Sequence, residues 1–401
     1  MYLQIIPVGI ETQPIIPFVC LLLAVCFRFK KIFEVKNEEL ALLLFCCIIL
    51  CYLLYGMFNG NTGESFIYCF RLIFCPLLYI FVLKNVEYIR IKHVKIVVSV
   101  LLCFCLSVSI YIPVLTEIVD FIIRLFLPRY SFGGGVRGVS VMTAEPSYFV
   151  YFAILIICTV DFLRLRNKNF VSKKEEFTIK FIIILMAILT KSALVYIYVI
   201  FYILSTLLFI KGHLIMKLFA VAMFFVIFIC LFYFIDNRLM EIMENIGAAT
   251  NIFDAIFYAD ASGGFRALFN CLYYLSVFIE PFGFGLGILS ANWFVVANCF
   301  NINPFGNEHL SHVVENINNI DAQAYIPNAV GNVGIFTVFL IFFIFKGNIF
   351  GDTRFKFQVV AVLIMFMFLL QSNFVNPVFW ILIAFLKYNS SCNKKCFVNF
   401  I

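Results

Sequence analysis

The sequence predicts an all-α, polytopic integral membrane protein with about eleven transmembrane helices and one large external loop. Its 401 residues are 64% hydrophobic and only 13% charged. A single soluble core stops growing at around 250–300 residues, so a water-soluble domain could not bury this much apolar surface. Lysines and arginines are concentrated in short connections between apolar runs, which is the usual pattern of membrane topology. We therefore expect lipid to solvate most of the chain.

Eleven apolar runs have the length of membrane spans. A bilayer core about 30 Å thick requires roughly 17–25 apolar residues per helix, and fewer where a segment is buried among neighbours. Residues 178–210 are too long for one helix, and LTKSA at their centre predicts a tight turn at the membrane surface. The predicted spans are Gln13–Phe29, Leu40–Phe58, Phe66–Leu83, Ile96–Pro113, Pro146–Leu163, Thr178–Thr190, Ser192–Ile210, Met216–Ile235, Pro327–Phe345, Phe357–Leu370 and Phe374–Leu386.

Basic connections set the predicted orientation. They are RFKKIFEVK, KNVEYIRIKHVK, RLRNKNFVSKK, KGHLIMK, KGNIFGDTRFK and the tail KYNSSCNKK. All of them fall on the cytoplasmic side, as basic loops do, if the N-terminus is outside and the C-terminus inside. These connections also explain the net charge of +7. Since no polar domain carries a basic stripe interleaved with aromatics, we predict no nucleic-acid binding.

Two long polar segments lie on the predicted outer side. Connections of more than about 12–15 residues are usually functional when they are not disordered. The longer segment is rich in aromatic residues, so we expect it to fold over the membrane surface. The chain is thus predicted to comprise N-terminal spans (1–113), an external loop (114–145), central spans (146–235), a large external loop (236–326), and C-terminal spans with a cytoplasmic tail (327–401).

Glu145 lies at the mouth of a predicted span, in the stretch SVMTAEPSYFVYF. Pro146 suits the first turn of a helix and keeps the residue before it out of helical geometry, so Glu145 is a candidate N-cap favoured by the helix dipole. A second interpretation includes Arg129, Gly133–Gly135 and Arg137, which precede it. An acid and two arginines at one external helix mouth suit a substrate with an anionic head and a reactive hydroxyl. The residues alone leave both interpretations open.

Three further polar side chains are candidates. His309 and His312, in GNEHLSHVVE, are spaced to share one helical face. They are candidate bases, solvated loop residues or, with Glu308, a metal site. We predict no metal and no cofactor, because loop histidines are usually solvated and no Cys-x-x-Cys pair is matched by a second one. Arg71 lies a turn inside its span, where it either has a functional role or extends to the outer headgroups.

Four stretches of the chain carry a family resemblance. They are RGVSVMTAEPSYFVYF, LTKSALVYIY, GGFRALFNCLYYLSVFIEPFGFGLGI and IPNAVGNVGIFTVF. In this order they resemble the Wzy-type O-antigen polymerases of bacteria, within the O-antigen ligase/polymerase superfamily, over roughly residues 129–345. The third stretch matches the family's pattern at Arg266, Pro281, Gly285 and Gly287. Its GFGLG segment lacks the spacing and preceding strand of a dinucleotide site, and indicates a flexible backbone strip.

The chain departs from the superfamily pattern at two places. Ala193 stands where the family often has arginine. In ligases a histidine normally precedes the asparagine of the return segment, whereas Tyr325 and Ile326 stand before Asn328 here. The second departure counts against a ligase.

The resemblance implies a GT-C-like fold and a polymerase of the bacterial inner membrane. Such an enzyme joins oligosaccharide units carried on undecaprenyl pyrophosphate into O-antigen or capsular polysaccharide at the periplasmic face. Implied partners are those lipid-linked glycans, membrane lipids, a chain-length regulator and a flippase. One alternative is an O-antigen ligase that transfers polymer to lipid A core. Another is a polysaccharide flippase or other transporter, which the long polar loops on one side disfavour.

The implied reaction gives each candidate residue a role. A sugar hydroxyl of one lipid-linked unit would attack the anomeric carbon of the growing chain, and a planar guanidinium matches the oxygens of the leaving diphosphate. Proton transfer to a base is typically worth about 10²–10⁴-fold, with Glu145 as first candidate and the two histidines as second. We predict Glu145, Arg137 and Arg266 as catalytic residues, and Arg129, Arg71, His309, His312, Gly285 and Gly287 as substrate-binding residues.

Overall fold

The computed structural model describes most of the predicted helical core. Among the described residues the chain is mostly helical, and none of them lies in a strand, which confirms the all-α prediction. The predicted spans Gln13–Phe29 and Met216–Ile235 lie outside the residues that the structure describes, apart from one position in the second span. The described residues are 39–110, 117, 148–167, 169–209, 222, 261–302, 321–346, 354–370 and 376–398.

Twelve α-helices are numbered here in chain order within the described residues. Short 3-10 segments follow α2 (Val86–Tyr88), α7 (Ser276–Phe278) and α9 (Gly334–Phe336), and a π-helical segment, Phe366–Leu370, follows α11. The helices are α1 Leu40–Phe58, α2 Thr62–Asn85, α3 Ile91–Ile110, α4 Phe149–Arg166, α5 Lys173–Leu189, α6 Ala193–Leu208, α7 Ala261–Leu275, α8 Ile288–Cys299, α9 Tyr325–Val333, α10 Thr337–Phe345, α11 Arg354–Met365 and α12 Pro377–Val398.

Three helical segments of the described chain are long and apolar enough to cross a membrane. They are Leu40–Phe58, Thr62–Tyr88 and Tyr325–Phe345. On helix surfaces Phe58, Phe66 and Phe177 are 89%, 61% and 70% exposed, and large exposed apolar surface marks a membrane or partner contact. These features support a membrane protein. The full count of eleven spans and the GT-C-like fold stay predictions.

The core forms around α2, which packs against both α1 and α12. Its buried Tyr79 meets the ring of Phe343 from α10 edge-on, with centroids 5.0 Å apart. Toward the end of α4, Phe162 stacks on Phe385 of α12 at 4.4 Å. Such aromatic pairs add to area burial in holding helices together. The described helices therefore share one main core.

The LTKSA turn predicted within residues 178–210 is confirmed. Helix α5 ends at Leu189 and α6 begins at Ala193. Between them Lys191 has a φ of +48°, a left-handed conformation that reverses the chain within three residues. At its other end α5 begins with a capping box, in which Ser172 and Glu175 each satisfy a backbone N–H of the other.

Two ends of the bundle can be distinguished along α2. Arg166, the last residue of α4, donates hydrogen bonds to the carbonyl of Val86, at 2.9 Å, and to that of Ile89, at 3.0 Å. The C-terminal ends of α2 and α4 therefore meet. Arg71 lies fifteen residues before Val86, or about 22 Å along the helix axis at 1.5 Å per residue. The first turns of α2 consequently lie at the opposite end of the bundle.

Candidate functional site

Helix α2 presents three polar side chains on one face near its start. Glu64, Tyr68 and Arg71 are spaced i, i+4 and i+7, which places them in one row. The Arg71 guanidinium carbon lies 5.2 Å from the centroid of the Tyr68 ring, within cation–π range. This row faces the short segment that leads into α9.

Asp321 is the shared partner of Tyr68 and Arg71 in this row. Arg71 Nη1 lies 3.5 Å from Asp321 Oδ2, and the Tyr68 hydroxyl donates to Oδ1. From α7, the Tyr273 hydroxyl also donates to Oδ1, at 3.4 Å. We call Tyr68, Arg71, Tyr273 and Asp321 the Asp321 cluster. It joins residues that are about 50 and 250 positions apart in the sequence.

Opposing influences act on the Asp321 carboxyl. Burial is the largest and raises its pKa, and the nearby charge of Glu64 acts in the same direction. The hydrogen bond from Tyr68, the charge of Arg71 and the hydrogen bond from Tyr273 lower the pKa, and burial prevails. Asp321 therefore holds a proton more readily than an aspartate in water.

Asn270 of α7 fixes the segment that carries Asp321. Its side-chain oxygen accepts from the backbone N–H groups of Gln323, at 3.0 Å, and Ala324, at 3.1 Å, just before α9 begins. Its side-chain nitrogen donates to the carbonyl of Leu369 in the π-helical segment, at 2.8 Å. One turn on, the Tyr274 hydroxyl donates to the carbonyl of Phe368 at 3.0 Å. Helix α7 is thus bonded both to the segment before α9 and to the π-helical segment.

The glycine strip at residues 283–287 is held against α9. Gly285 N–H donates to the Asn332 carbonyl at 3.1 Å, and Gly287 N–H donates to the Asn332 side-chain oxygen at 2.8 Å. Gly283 has a φ of +86°, and a Cβ there would lie 2.5 Å from the Asn332 carbonyl oxygen. The strip was predicted to be flexible, but these contacts hold it in place. Glycine is required because the two backbones approach so closely.

Gly287 also borders the Asp321 cluster. A Cβ at this position would lie 2.8 Å from Tyr68 Cδ2 and 3.2 Å from Glu64 Oε2. Its φ of +76° adds a second reason for glycine. The structure thus gives Gly285 and Gly287 a role in backbone packing beside the cluster, and their predicted contact with substrate stays a prediction.

Arg266 lies on the face of α7 that carries Asn270 and Tyr273. It is half-buried, and it precedes Tyr273 by seven residues, or about 10 Å along the helix. No ion-pair partner for Arg266 is found in the described part of the chain. Its guanidinium is therefore a second cation on the surface that leads to the Asp321 cluster.

Five predicted site residues lie outside the described residues. Consequently their roles as base, diphosphate ligand or substrate contact stay predictions. They are Arg129, Arg137, Glu145, His309 and His312. Among the described positions, no group of three or more His, Cys, Asp or Glu side chains is arranged to hold a metal ion.

Arg71 was predicted as a site residue from the sequence, but its partners were not. The spacing of Glu64, Tyr68 and Arg71 within an apolar helix was an available signal, because polar residues on one face of a span usually meet other polar groups. The predicted span began at Phe66, which left Glu64 in a loop, whereas α2 begins at Thr62. Asp321 carried no local signal beyond its place just before the return helix.

A second charged cluster lies at the other end of the bundle. Lys180 Nζ of α5 bridges Asp161 Oδ1, at 2.6 Å, and Glu176 Oε1, at 2.7 Å. Arg354 Nη2 of α11 lies 2.7 Å from the same Asp161 oxygen, and Arg164 pairs with Glu176. We call these five residues the Asp161 cluster. Asp161 is only 4% exposed, so the cluster is a buried ion-pair network.

No family model, curated protein or solved structure matches the chain. Function must therefore be inferred from the residues themselves. The Asp321 cluster offers a guanidinium that can bind anionic oxygens, a carboxylate that can accept a proton, and two phenols that orient that carboxylate. These groups suit a transfer reaction in which an anion leaves and a hydroxyl attacks.

Proposed function

We propose that the protein is a lipid-linked oligosaccharide glycosyltransferase that polymerises undecaprenyl-pyrophosphate-linked repeat units into O-antigen or capsular polysaccharide. The observation that carries this proposal is the meeting of Arg71 with Asp321 at the point where the long polar segment 236–326 returns to an apolar helix. A cation and a carboxylate at one helix mouth are the two groups that the reaction requires. The sequence resemblance supplies the substrate class.

Arg71 and Arg266, the two candidate arginines among the described residues, suit a diphosphate leaving group. As undecaprenyl diphosphate departs, negative charge grows on the phosphate oxygen that was bonded to the anomeric carbon, and a preorganised cation stabilises that charge. Arg71 lies in the Asp321 cluster, and Arg266 lies on the α7 face that leads to it. Guanidinium groups bind phosphate oxygens bidentately, so two of them can hold the two phosphates in a fixed orientation.

The proposed sidedness places the Asp321 cluster at the periplasmic face of the inner membrane. The Asp161 cluster joins the ends of helices that flank the basic connections RLRNKNFVSKK and KGNIFGDTRFK. Basic connections favour the cytoplasmic side, and the Asp321 cluster lies toward the other end of the bundle. Eleven spans with a GT-C-like arrangement complete this topology as part of the proposal.

A ligase is the less favoured alternative. Its family pattern requires a histidine before the asparagine of the return segment. Tyr325 and Ile326 are fully buried there, and the Tyr325 hydroxyl donates to the Leu72 carbonyl at 2.6 Å. The Tyr325 side chain thus links α9 to α2, and the Ile326 side chain lies in the main core. A flippase is disfavoured by the long polar segments on one side of the membrane.

Deletion of the gene in its host tests the proposal. Loss of a polymerase leaves lipopolysaccharide core capped with a single repeat unit, because ligation of one unit continues. Loss of a ligase leaves core with no repeat attached. For a capsule-forming host, the corresponding readout is the length of lipid-linked capsular chains. A ladder of unchanged length in the deletion strain would overturn the proposal.

A further inference from the structure

We propose that Asp321 is the base that takes the proton from the attacking sugar hydroxyl. In the free enzyme Arg71 pairs with the Asp321 carboxylate, and this ion pair breaks when a diphosphate binds the Arg71 guanidinium. This inference rests on the proposed function and assigns to Asp321 the role that sequence analysis gave to Glu145. It also makes catalysis conditional on substrate binding. Three observations lead to it.

First, the two oxygens of Asp321 are used differently. A carboxylate oxygen has about two lone-pair directions, and Oδ1 accepts from both Tyr68 and Tyr273. Oδ2 contacts Arg71 alone among the described residues. The phenols therefore fix the orientation of the carboxylate, and Oδ2 is the oxygen that can receive a proton.

Second, the contact between Arg71 and Oδ2 is a weak one. Its 3.5 Å exceeds the roughly 2.7–2.9 Å of a strong charge-assisted hydrogen bond. The side chains of Arg71 and Asp321 are 17% and 24% exposed, so an incoming anion can reach them. A diphosphate offers several anionic oxygens in the geometry that a guanidinium prefers. Arg71 can therefore exchange its contact with Asp321 for one with the diphosphate.

Third, the surroundings of Asp321 favour proton uptake once Arg71 has moved. The ionisable groups that face it are Glu64, Tyr68 and Arg71 from α2 and Tyr273 from α7. Loss of the Arg71 charge and arrival of an anionic diphosphate both raise the pKa of Asp321 further. A carboxylate whose pKa approaches the working pH is a better base than an ordinary aspartate.

The proposed step is balanced. The oxygen of the acceptor sugar forms a bond to the anomeric carbon of the donor, while the bond from that carbon to the diphosphate oxygen breaks. The electron pair of the broken bond leaves with undecaprenyl diphosphate, next to Arg71. The hydroxyl proton passes to Asp321 Oδ2, and solvent removes it before the next turnover.

The direct test compares Asp321→Asn with Glu87→Gln in membranes of the deletion strain, which contain accumulated lipid-linked repeat units. Glu87 is an exposed carboxylate at the other end of α2 and is the matched control. We expect Asp321→Asn to slow polymer formation at least 10²-fold, as loss of a base typically does. Glu87→Gln should match the wild type. Wild-type rates in Asp321→Asn would overturn the inference.

A second measurement covers the case in which Asp321→Asn fails to accumulate in the membrane. Tyr68→Phe removes one donor from Oδ1 and leaves the carboxylate in place. A base at Asp321 predicts that the acidic limb of the rate profile moves to higher pH, because the ionised carboxylate loses a hydrogen bond. An unmoved limb in a Tyr68→Phe protein of normal abundance would contradict the inference.

The exchange of Arg71 from Asp321 to the diphosphate is tested by the pH dependence of the rate. In the wild type the acidic limb of kcat, which reports the substrate complex, should lie at higher pH than that of kcat/KM, which reports the free enzyme. Coincident limbs would overturn this part. If wild-type membranes form no polymer, the proposed function fails. If they form polymer and Asp321→Asn does so equally well, only the further inference fails.

Discussion

The two charged clusters differ in how completely their charges are paired. In the Asp161 cluster, one carboxylate oxygen lies within 2.7 Å of both a lysine and an arginine nitrogen. In the Asp321 cluster, the single described guanidinium lies 3.5 Å away, and phenols supply the other contacts. The first arrangement pairs its buried carboxylates with several cations at short distances, whereas the second has one longer ion pair whose two side chains are partly exposed. The comparison separates a structural network from a candidate reaction centre.

Burial explains why this difference matters. A buried charge is costly unless it is paired, and removing one partner leaves the other uncompensated. Residues of the Asp161 cluster should therefore affect stability when changed. Residues of the Asp321 cluster should affect turnover, since the ion pair between Arg71 and Asp321 is longer and both of its side chains are partly exposed. Four predictions test this division, in order of decreasing effect.

Lys180→Met should have the largest effect. The change leaves Asp161 and Glu176 buried without the ammonium that bridges them, and breaking a buried pair typically costs about 3–5 kcal/mol. We expect a large fall in the unfolding temperature of the detergent-solubilised protein. Lys92→Met removes an exposed lysine of α3 and is the control. Equal unfolding temperatures for the two variants would end the assignment of the Asp161 cluster to stability.

Arg71→Ala should reduce polymer formation by about 100-fold, equivalent to roughly 2.7 kcal/mol of transition-state stabilisation. Arg71→Lys should restore part of the rate, because a lysine supplies charge without the bidentate fork. Arg90→Ala, at an exposed position beyond the other end of α2, is the control. Polymer length and membrane abundance are measured together. A parallel loss of protein and activity would move Arg71 to the structural class.

Gly287→Ala should have a moderate effect. A left-handed conformation costs a non-glycine residue about 1–2 kcal/mol, and the new Cβ would also press on the Tyr68 ring. Gly60→Ala is a matched control, because Gly60 has a φ of +80° and open space around its Cβ position. Both variants should lose stability, and Gly287→Ala alone should lose polymer. Equal activity in the two would show that the glycine strip has no bearing on the Asp321 cluster.

The smallest effects concern pH, and they have opposite signs for two carboxyls. The folded-state pKa of Asp321 is raised, so its stabilising contribution is present at low pH and is lost as the pH rises through that pKa. Glu175 beside the Asp161 cluster has its pKa lowered to about 2, first by its hydrogen bond with Lys95. Its contribution is present above its ordinary pKa and is lost as the pH falls. Neither amide titrates, so as the pH rises the unfolding temperature of Asp321→Asn should increase relative to the wild type, and that of Glu175→Gln should decrease relative to the wild type.

Local features of the fold were predictable from the sequence, and long-range pairings were not. The turn at LTKSA followed from the length of the apolar run, and the all-α class followed from composition. Arg71 was predicted as a candidate because a charged side chain inside a membrane span is rare. Its partner Asp321 is 250 residues away, and no periodic pattern specifies which distant helix mouth meets which. The Asp161 cluster was missed for the same reason, although Asp161 lies inside a predicted span.

The long polar segment 236–326 shows the same limit. Its length and aromatic content predicted a folded external region. In the described part, 261–302, α7 packs against α9 and the π-helical segment, and α8 also contacts α9. Asn270 was not singled out in the sequence, yet its amide fixes the start of α9. Amide side chains occur throughout polar loops, so only the folded geometry distinguishes one that fixes the segment before a helix.

The position of α7, and with it the candidate site, depends on the π-helical segment Phe366–Leu370. The carbonyls of Phe368 and Leu369 are bound by Tyr274 and Asn270, the neighbours of Tyr273 on α7. Rewinding this segment into regular α-helix would direct both carbonyls along its own axis and withdraw them from α7. A variant that converted this segment to regular α-helix would therefore loosen the hold on α7 and lower the activity, without changing any residue of the Asp321 cluster.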